Sequence, residues 1–239
     1  MPEETAAERV LVITAHPDDV DFGAAGSVAV WTDAGIEVSY CIVTDGDAGG
    51  FDPAVARSAI AGIRQAEQIA AAKEVGVHSL TFLGYPDGAL EVSLALRKDI
   101  SRVIRQVRPQ RVVTQSPERT YDRIYGSHPD HLASGEAAFC AVYPDSRNPF
   151  TFADLVEVEG LAAWTVDEVW TMNGPGEVHF VDITAQIDRK IRALLRHESQ
   201  HTDTAATQQV VRGWNGENAR RAGLSAGSYA EVFGVVNTR

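Results

Sequence analysis

The chain has 239 residues, of which 44% are hydrophobic and 23% are charged, an ordinary composition for a folded globular protein. Its formal net charge is -12, which argues against nucleic acid and anionic membranes as partners, because both usually bind basic patches. The two cysteines, Cys41 and Cys140, lack the spacing of a disulfide framework or of a CxxC metal site.

The amino-terminal segment is acidic and lacks the apolar core of a secretory signal. No run approaches the roughly 18 apolar residues that a membrane span needs. We therefore expect a cytoplasmic protein without a membrane partner.

Short β-branched runs alternate with helical patterns along most of the chain. The predicted strands cover residues 9–15, 36–44, 79–83, 111–115, 168–172 and 179–183. The predicted helices cover residues 24–34, 53–75, 92–107, 130–142 and 184–197. This alternation predicts βαβ units and an α/β fold with a mostly parallel sheet. Without a repeat or a low-complexity linker, we expect one domain over residues 1–239; the segment beyond Gln200 is polar and predicts no element.

Polar loops follow three of the predicted strands directly. They begin at His16, at Asp45 and at Ser116. In open α/β sheets, ligands bind outside the carboxyl ends of the strands. We therefore expect these three loops to meet at one edge of the sheet and to form the functional site.

Two His-Pro-Asp clusters stand in these loops, at residues 16–19 and 128–131. Histidine and carboxylate are ligands of catalytic zinc sites, which use three protein ligands and a water. His128 and His131 share a helix face, so one can bind metal while the other faces substrate. A single loop histidine is usually solvated, but two such clusters after strand-like segments favour a metal site.

The sequence from Ala15 to Asp19 (Ala-His-Pro-Asp-Asp) resembles the opening signature of the PIG-L/LmbE family of zinc-dependent N-deacetylases, and His128-x-x-His131 resembles its second motif. The likeness continues through Arg64 and residues 82–88 and covers most of residues 9–200. It implies a Rossmann-like domain with helices on both faces of the sheet. The implied activity is removal of an N-acetyl group from a small molecule such as an N-acetylglucosamine derivative. Family members often form homo-oligomers.

The resemblance also implies roles for individual residues. The metal ligands fall on His16, Asp19 and His131, with Zn²⁺ or another exchangeable divalent ion as cofactor. The general base falls on Asp18, and His128 matches the histidine that assists at the tetrahedral intermediate.

Further positions around the two motifs carry expected roles. Arg64 and Asp87 match positions that contact the sugar, although Arg64 alternatively forms a helix-surface ion pair with Glu67. Tyr125 lies near the tyrosine that often precedes the second motif, with Tyr121 as an alternative. From the chemistry of metal-site histidines, we expect Asp130 to accept a ring N–H from His128.

Two other function classes compete with the deacetylase. A metal-dependent phosphoesterase also uses histidines and aspartates, although it would often hold two metals. A non-catalytic nucleotide-binding module is compatible with an α/β sheet. However, neither GxGxxG after the first strand nor GxxxxGK[ST] occurs.

Overall fold

The computed structural model describes residues 7–50, 52–174 and 178–239. The strands are β1 Arg9–Thr14, β2 Glu37–Thr44, β3 Ser79–Tyr85, β4 Arg111–Gln115, β5 Glu168–Met172, β6 His179–Asp182 and β7 Ala230–Asn237. The α-helices are α1 Asp19–Gly23, α2 Ala25–Asp33, α3 Arg57–Glu74, α4 Leu94–Val107, α5 Pro129–Cys140, α6 Ala153–Glu157, α7 Ile187–Leu194 and α8 Thr204–Arg221. Among the described helices, none is both long enough and apolar enough to cross a membrane.

Short irregular helices fill some of the connections. A 3-10 helix spans Tyr121–Ser127 just before α5, and another spans Thr184–Gln186 before α7. A π-helical turn, Ala141–Asp145, follows α5.

The seven strands form a sheet in the order β3-β2-β1-β4-β5-β7-β6. Strands β1 to β5 pair in parallel, and β7 runs antiparallel to both β5 and β6. The chain order reverses between β1 and β4, which is the place where α/β sheets bind their ligands. The predicted mostly parallel α/β sheet is confirmed.

Alternation along the central strands builds a core on each face of the sheet. In β1, Val10 and Val12 join one buried cluster, whereas Leu11 and Ile13 join another. Residues of α2 and α3 complete the first cluster, and residues of α4 and α5 complete the second. Helices thus cover both faces, as the family resemblance implied, and the runs buried on both faces explain the nearly continuous apolar sequence of β1.

The segment that predicted no element contains α8 and β7. Strand β7 lies between β5 and β6, and its Glu231 is buried. The Glu231 carboxylate accepts hydrogen bonds from the amides of Gly26 and Ser27, at 2.9 and 2.7 Å, and from Lys190 Nζ at 2.5 Å. These bonds tie β7 to the beginning of α2 and to α7.

Candidate active site

The polar loops meet at the carboxyl edge of the sheet, beside the reversal point of the strand order. Gln115, the last residue of β4, accepts from the amide of Ala15 at 3.0 Å and donates to Asp19 Oδ2 at 2.8 Å. It therefore fixes the loop after β1 against β4. Helix α5 lies close to the same strand because Gly135 has no side chain; a Cβ there would meet the Gln115 carbonyl oxygen at 2.3 Å.

His16, Asp19 and His131 converge in this loop cluster. His16 Nδ1 lies 3.2 Å from His131 Nε2 and 3.3 Å from Asp19 Oδ2, and His131 Nε2 lies 3.0 Å from Asp19 Oδ1. With bonds of about 2.0–2.1 Å, a tetrahedral zinc site places its ligands about 3.3 Å apart. The nitrogen and oxygen atoms that face one another are thus spaced as the ligands of one small metal ion.

The electrostatics of the cluster favour a cation. Burial opposes protonation of His16, but the carboxylates of Asp19, Asp130 and Asp87 outweigh burial and raise its pKa to about 12. Burial likewise opposes ionisation of Asp19, yet His131 and His16 hold the pKa of its carboxyl well below the usual range. Positive charge is therefore stabilised where the three side chains meet, and a divalent ion there would fit the same surroundings.

The second nitrogen of each histidine is held by an acceptor. His16 Nε2 lies 3.1 Å from Asp87 Oδ1 and 3.2 Å from Asp130 Oδ2, and His131 Nδ1 lies 3.3 Å from the carbonyl oxygen of Gly126. Metal-binding histidines usually donate their other ring N–H in this way, which fixes the tautomer and the ring orientation.

Asp130 differs from its expected role. Its carboxylate contacts His16 and accepts from the amides of Gly88 and Leu90, at 2.7 and 3.2 Å, rather than from the ring of His128. The reason is local: His128 is the N-cap of α5, and its Nδ1 accepts from the Asp130 amide at 3.2 Å. Nδ1 is thus an acceptor, and the ring carries its proton on Nε2.

His128 completes a second possible ligand group. One ring nitrogen from each of His16, His128 and His131 lies within 4.8 Å of the others, and the His128 ring packs edge-on against His16 at 4.9 Å. Burial and the neighbouring histidines lower the pKa of His128, so the ring is neutral near pH 7.

Asp18 stands beside this cluster in a left-handed backbone conformation, with φ of 93°. Its amide donates to Gln68 Oε1 at 2.9 Å, and its Oδ2 lies 3.3 Å from Arg64 Nη2. Burial and the nearby Asp19 raise the pKa of Asp18 to about 6, while Arg64 opposes that rise. Strained backbone conformations of this kind persist only where surrounding bonds enforce them, and they are frequent at active sites.

Arg64 is buried beneath the loop after β1 and is not on the protein surface. The residue is 4% exposed, and its guanidinium donates to the carbonyl oxygens of Pro17 and Gly46. A Cβ at Gly46 or Gly49 would meet Arg64 Nη1 at 2.5 Å, so these glycines make room for the guanidinium. The alternative ion pair with Glu67 does not form, because the Glu67 carboxylate accepts from the amide and hydroxyl of Ser199.

Asp87 links Arg64 to His16. Its Oδ2 lies 3.7 Å from Arg64 Nη1, and its Oδ1 faces His16 Nε2. Its backbone amide also donates to Asp47 Oδ1 at 3.0 Å, which joins the loops after β2 and β3. Both side chains expected at the sugar therefore form part of the wall around the cluster.

A buried network under Asp18 escaped the sequence analysis. Gln68 Nε2 donates to Asp21 Oδ2 at 2.9 Å, and His197 Nε2 lies 2.9 Å from the same oxygen. No motif marks these residues, because Gln68 on α3 and His197 in the turn after α7 lie far apart in the sequence. Val20, between Asp19 and Asp21, is buried in the core.

A cavity of about 790 Å³ opens onto the cluster. Asp18, Asp19 and His131 line its inner end, and Tyr125, which is 80% exposed, stands at its side. The opposite side comprises residues that sequence reasoning did not single out, chiefly on α8: Phe22, Asn173, Val210, Trp214, Glu217, Asn218 and Arg221.

Comparison with known proteins assigns the chain to a family. The model of the PIG-L family, described as GlcNAc-PI de-N-acetylase, matches residues 11–142. Diacetylchitobiose deacetylase of Thermococcus kodakarensis is 34% identical over 193 residues, covering 81% of this chain and 70% of that protein. A probable N-acetyl-alpha-D-glucosaminyl L-malate deacetylase 2 of Bacillus cereus is also 34% identical, covering 80% of this chain and 83% of that protein.

A solved structure of a deacetylase also matches this chain. The N,N'-diacetylchitobiose deacetylase of Pyrococcus horikoshii, complexed with its inhibitor MPG, superposes with a TM-score of 0.89 at 28% identity. The match covers 98% of this chain and 85% of that one. These relatives support the deacetylase interpretation over the phosphoesterase and nucleotide-binding alternatives. The chain therefore belongs to the PIG-L family of de-N-acetylases, as its two His-Pro-Asp motifs predicted, and it is an amide hydrolase.

Proposed function

We propose that this chain removes the N-acetyl group from a small N-acetylglucosamine derivative with the help of one divalent metal ion, zinc by preference. The convergence of His16 Nδ1, Asp19 and His131 Nε2 beside the half-buried Asp18 carries this proposal. The relatives' names, which specify diacetylchitobiose and N-acetyl-glucosaminyl malate, supply the substrate class.

His16, Asp19 and His131 would hold the metal ion. The donor set suits zinc, since two imidazole nitrogens and a carboxylate are frequent ligands of its catalytic sites. When bound, such an ion acts as a Lewis acid and lowers the pKa of water at the site. Asp130 and Asp87 keep His16 oriented through its second nitrogen, and Gly126 does the same for His131.

Asp18 is the general base in this proposal. Its pKa of about 6 lets it ionise at neutral pH and still accept a proton from the attacking water. Arg64 limits the rise of that pKa and fixes the carboxylate through contacts to Asp18 and Pro17. The protonated Asp18 then returns the proton to the departing amine nitrogen.

His128 stabilises the oxyanion that develops on the amide carbonyl. Its Nδ1 accepts from the Asp130 amide, which leaves Nε2–H as a donor. Because the ring is neutral, it donates a hydrogen bond more readily than it gives up a proton. Tyr125, on the cavity side, is placed to add a second donor.

Arg64 and Asp87 act on the substrate mainly through the residues they hold. The burial of Arg64 and its bonds to two loops support a positioning role. Asp87 also keeps its expected contact with the sugar as part of this proposal, because its carboxylate lies next to the cluster. Measurements of KM and of metal affinity in an Asp87 variant separate these two roles.

We also propose that residues 1–239 act as one domain, since β7 pairs with β5 in the sheet that contains β1. The cytoplasmic location and homo-oligomeric assembly expected from the sequence stay predictions.

The decisive experiment measures the products from a panel of N-acetylglucosamine derivatives, including diacetylchitobiose and the malate and inositol conjugates. We expect acetate and primary amine in equal amounts, loss of activity after chelation, and recovery on adding zinc. Phosphate esters serve as the control panel. Phosphate release without amine release, or full activity of the metal-free protein, would contradict the proposal.

A further inference from the structure

One face of α8 forms the outer wall of the active cavity. The cavity-lining residues of this helix recur at helical spacing: Val210, Trp214, Glu217, Asn218 and Arg221. Val211, Asn215 and Ala219 are buried and do not line this cavity, whereas Asn218 is buried and lines it. One face of the helix therefore packs into the protein, and another lines the cavity.

Part of this wall is apolar. Val210 and Trp214 lie one helical turn apart, and Phe22 of α1 and Tyr125 line the same space. Val210 is 62% exposed, so this valine contributes little to the folded core. An apolar surface that faces a ligand-sized cavity is typical of binding sites, whose volumes are about 300–1,000 Å³.

The same cavity reaches Asp18, Asp19 and His131. If the acetyl carbonyl lies at those residues, as the proposed function requires, the acetyl group ends there. Whatever contacts the α8 wall must then be attached on the amine side of the scissile bond. The volume of about 790 Å³ leaves room beyond one acetylated sugar ring.

We propose that the wall formed by Phe22, Tyr125, Val210 and Trp214 binds an apolar group, aryl or alkyl, that is linked to the N-acetylated amino sugar. This inference rests on the proposed deacetylation and specifies its substrate class. Trp214 offers an aromatic face and Val210 an aliphatic one, so this part of the cavity suits an apolar ring or chain. Both are specificity residues rather than catalytic ones.

The test compares kcat/KM for N-acetylglucosamine with kcat/KM for its phenyl and octyl glycosides, both anomers of each. In the wild type we expect the glycosides to exceed the free sugar by roughly tenfold or more, since small apolar groups in a hydrophobic pocket give selectivity of about that size. In Trp214→Ala this ratio should fall about tenfold. Val210→Asn, at an exposed site where folding is little affected, should lower the ratio as well.

Matched controls separate the wall from general surface effects. Phe150→Ala and Val158→Asn change an aromatic and a valine that are 88% and 81% exposed and do not line the cavity, so both should keep the wild-type ratio. A wild-type ratio near one would overturn the proposal while leaving deacetylation intact. Absence of acetate release from every sugar would instead overturn the proposed function.

Two further outcomes would assign the wall to another occupant. Longer N-acyl chains on the free sugar form the second substrate series. If Trp214→Ala acts on that series and not on the glycosides, the wall binds the acyl side, and the proposal is wrong. If sedimentation shows an oligomer that Trp214→Ala and Val210→Asn dissociate, without any glycoside preference, the wall is an interface between copies of the chain.

Discussion

On the sheet side of the cavity, hydrogen bonds from α3, β4 and the 3-10 helix before α5 fix Asp18, Asp19 and His131. On the α8 side, Val210 and Trp214 present apolar surface without such bonds. The Asp19 carboxylate, for example, accepts two hydrogen bonds, from the His16 amide at 2.7 Å and from the Gln115 side chain at 2.8 Å. The sheet side must hold several buried charges in one arrangement, because any unpaired one is costly. The α8 side only needs shape and apolarity.

This contrast indicates that catalysis and substrate selection are assigned to different sides of the cavity. Groups that act on the reacting bond are preorganised, and small displacements there cost rate. The groups proposed to select the rest of the substrate lie on the cavity face of α8.

The largest effect is expected from His16→Ala, Asp19→Ala and His131→Ala. Each change removes one of three proposed ligands, so the purified variant should lose its metal, about one ion per chain in the wild type, together with measurable deacetylation. Elemental analysis after dialysis measures the metal. His78→Ala, at an exposed histidine outside the site, is the control and should retain both. Full metal content in all three variants would refute the ligand assignment.

Asp18→Asn tests the general base. The substitution keeps the shape but removes the proton acceptor, so kcat should fall roughly 10²- to 10⁴-fold while the metal content stays unchanged. Asp52→Asn, at an exposed aspartate, should behave as the wild type. Near-normal kcat in Asp18→Asn would move the base to another residue, with His128 the next candidate.

Asp130→Asn and Asp87→Ala test the support of His16. Loss of a carboxylate behind a metal-binding histidine typically weakens metal affinity about 10- to 100-fold, and we expect this range for Asp130→Asn in a chelator competition. For Asp87→Ala the two proposed roles separate. A raised KM at unchanged metal affinity identifies a sugar contact, whereas weakened metal affinity identifies support of His16. No change in either quantity would refute both roles.

The smallest effect concerns stability and pH. Burial lowers the pKa of His197, but Asp21 outweighs burial, so the folded-state pKa is raised. Protonated His197 then stabilises the fold fully below its unfolded pKa of about 6.5, and this contribution is lost as pH rises through the folded pKa. The free energy of unfolding lost in His197→Gln should therefore be larger at pH 6 than at pH 9. An identical loss at both pH values, or a similar pH trend in His78→Gln, would contradict this.

The sequence alone predicted the strands and the polar motifs of the sheet side of the cavity. The β-branched runs at residues 9–15 and 111–115 predicted β1 and β4, and the adjacent His-Pro-Asp motifs therefore had to lie at the same edge. The placement of Arg64 could not be derived this way, because it depends on the missing side chains of Gly46 and Gly49 in a distant loop.

Helix α8 was not predictable for a different reason. Amphipathic periodicity marks a helix when one face is apolar and the other polar. Here Val210 faces the cavity and Val211 faces the protein interior, so apolar residues fall on both faces. Gly213 and Gly216 weaken the helical signal further. The role of α8 as a cavity wall becomes clear only from the structure, in which its residues line the cavity.

The place of β7 has a consequence for the order of assembly. Because β7 lies between β5 and β6 and follows α8 in the chain, a ribosome makes every residue of the His16–His131 cluster before the strand that divides β5 from β6. Glu231 must then reach Lys190 and the beginning of α2. Such late, non-local pairing is slow. During synthesis, the residues of the catalytic cluster therefore leave the ribosome before those of the α8 wall and of β7.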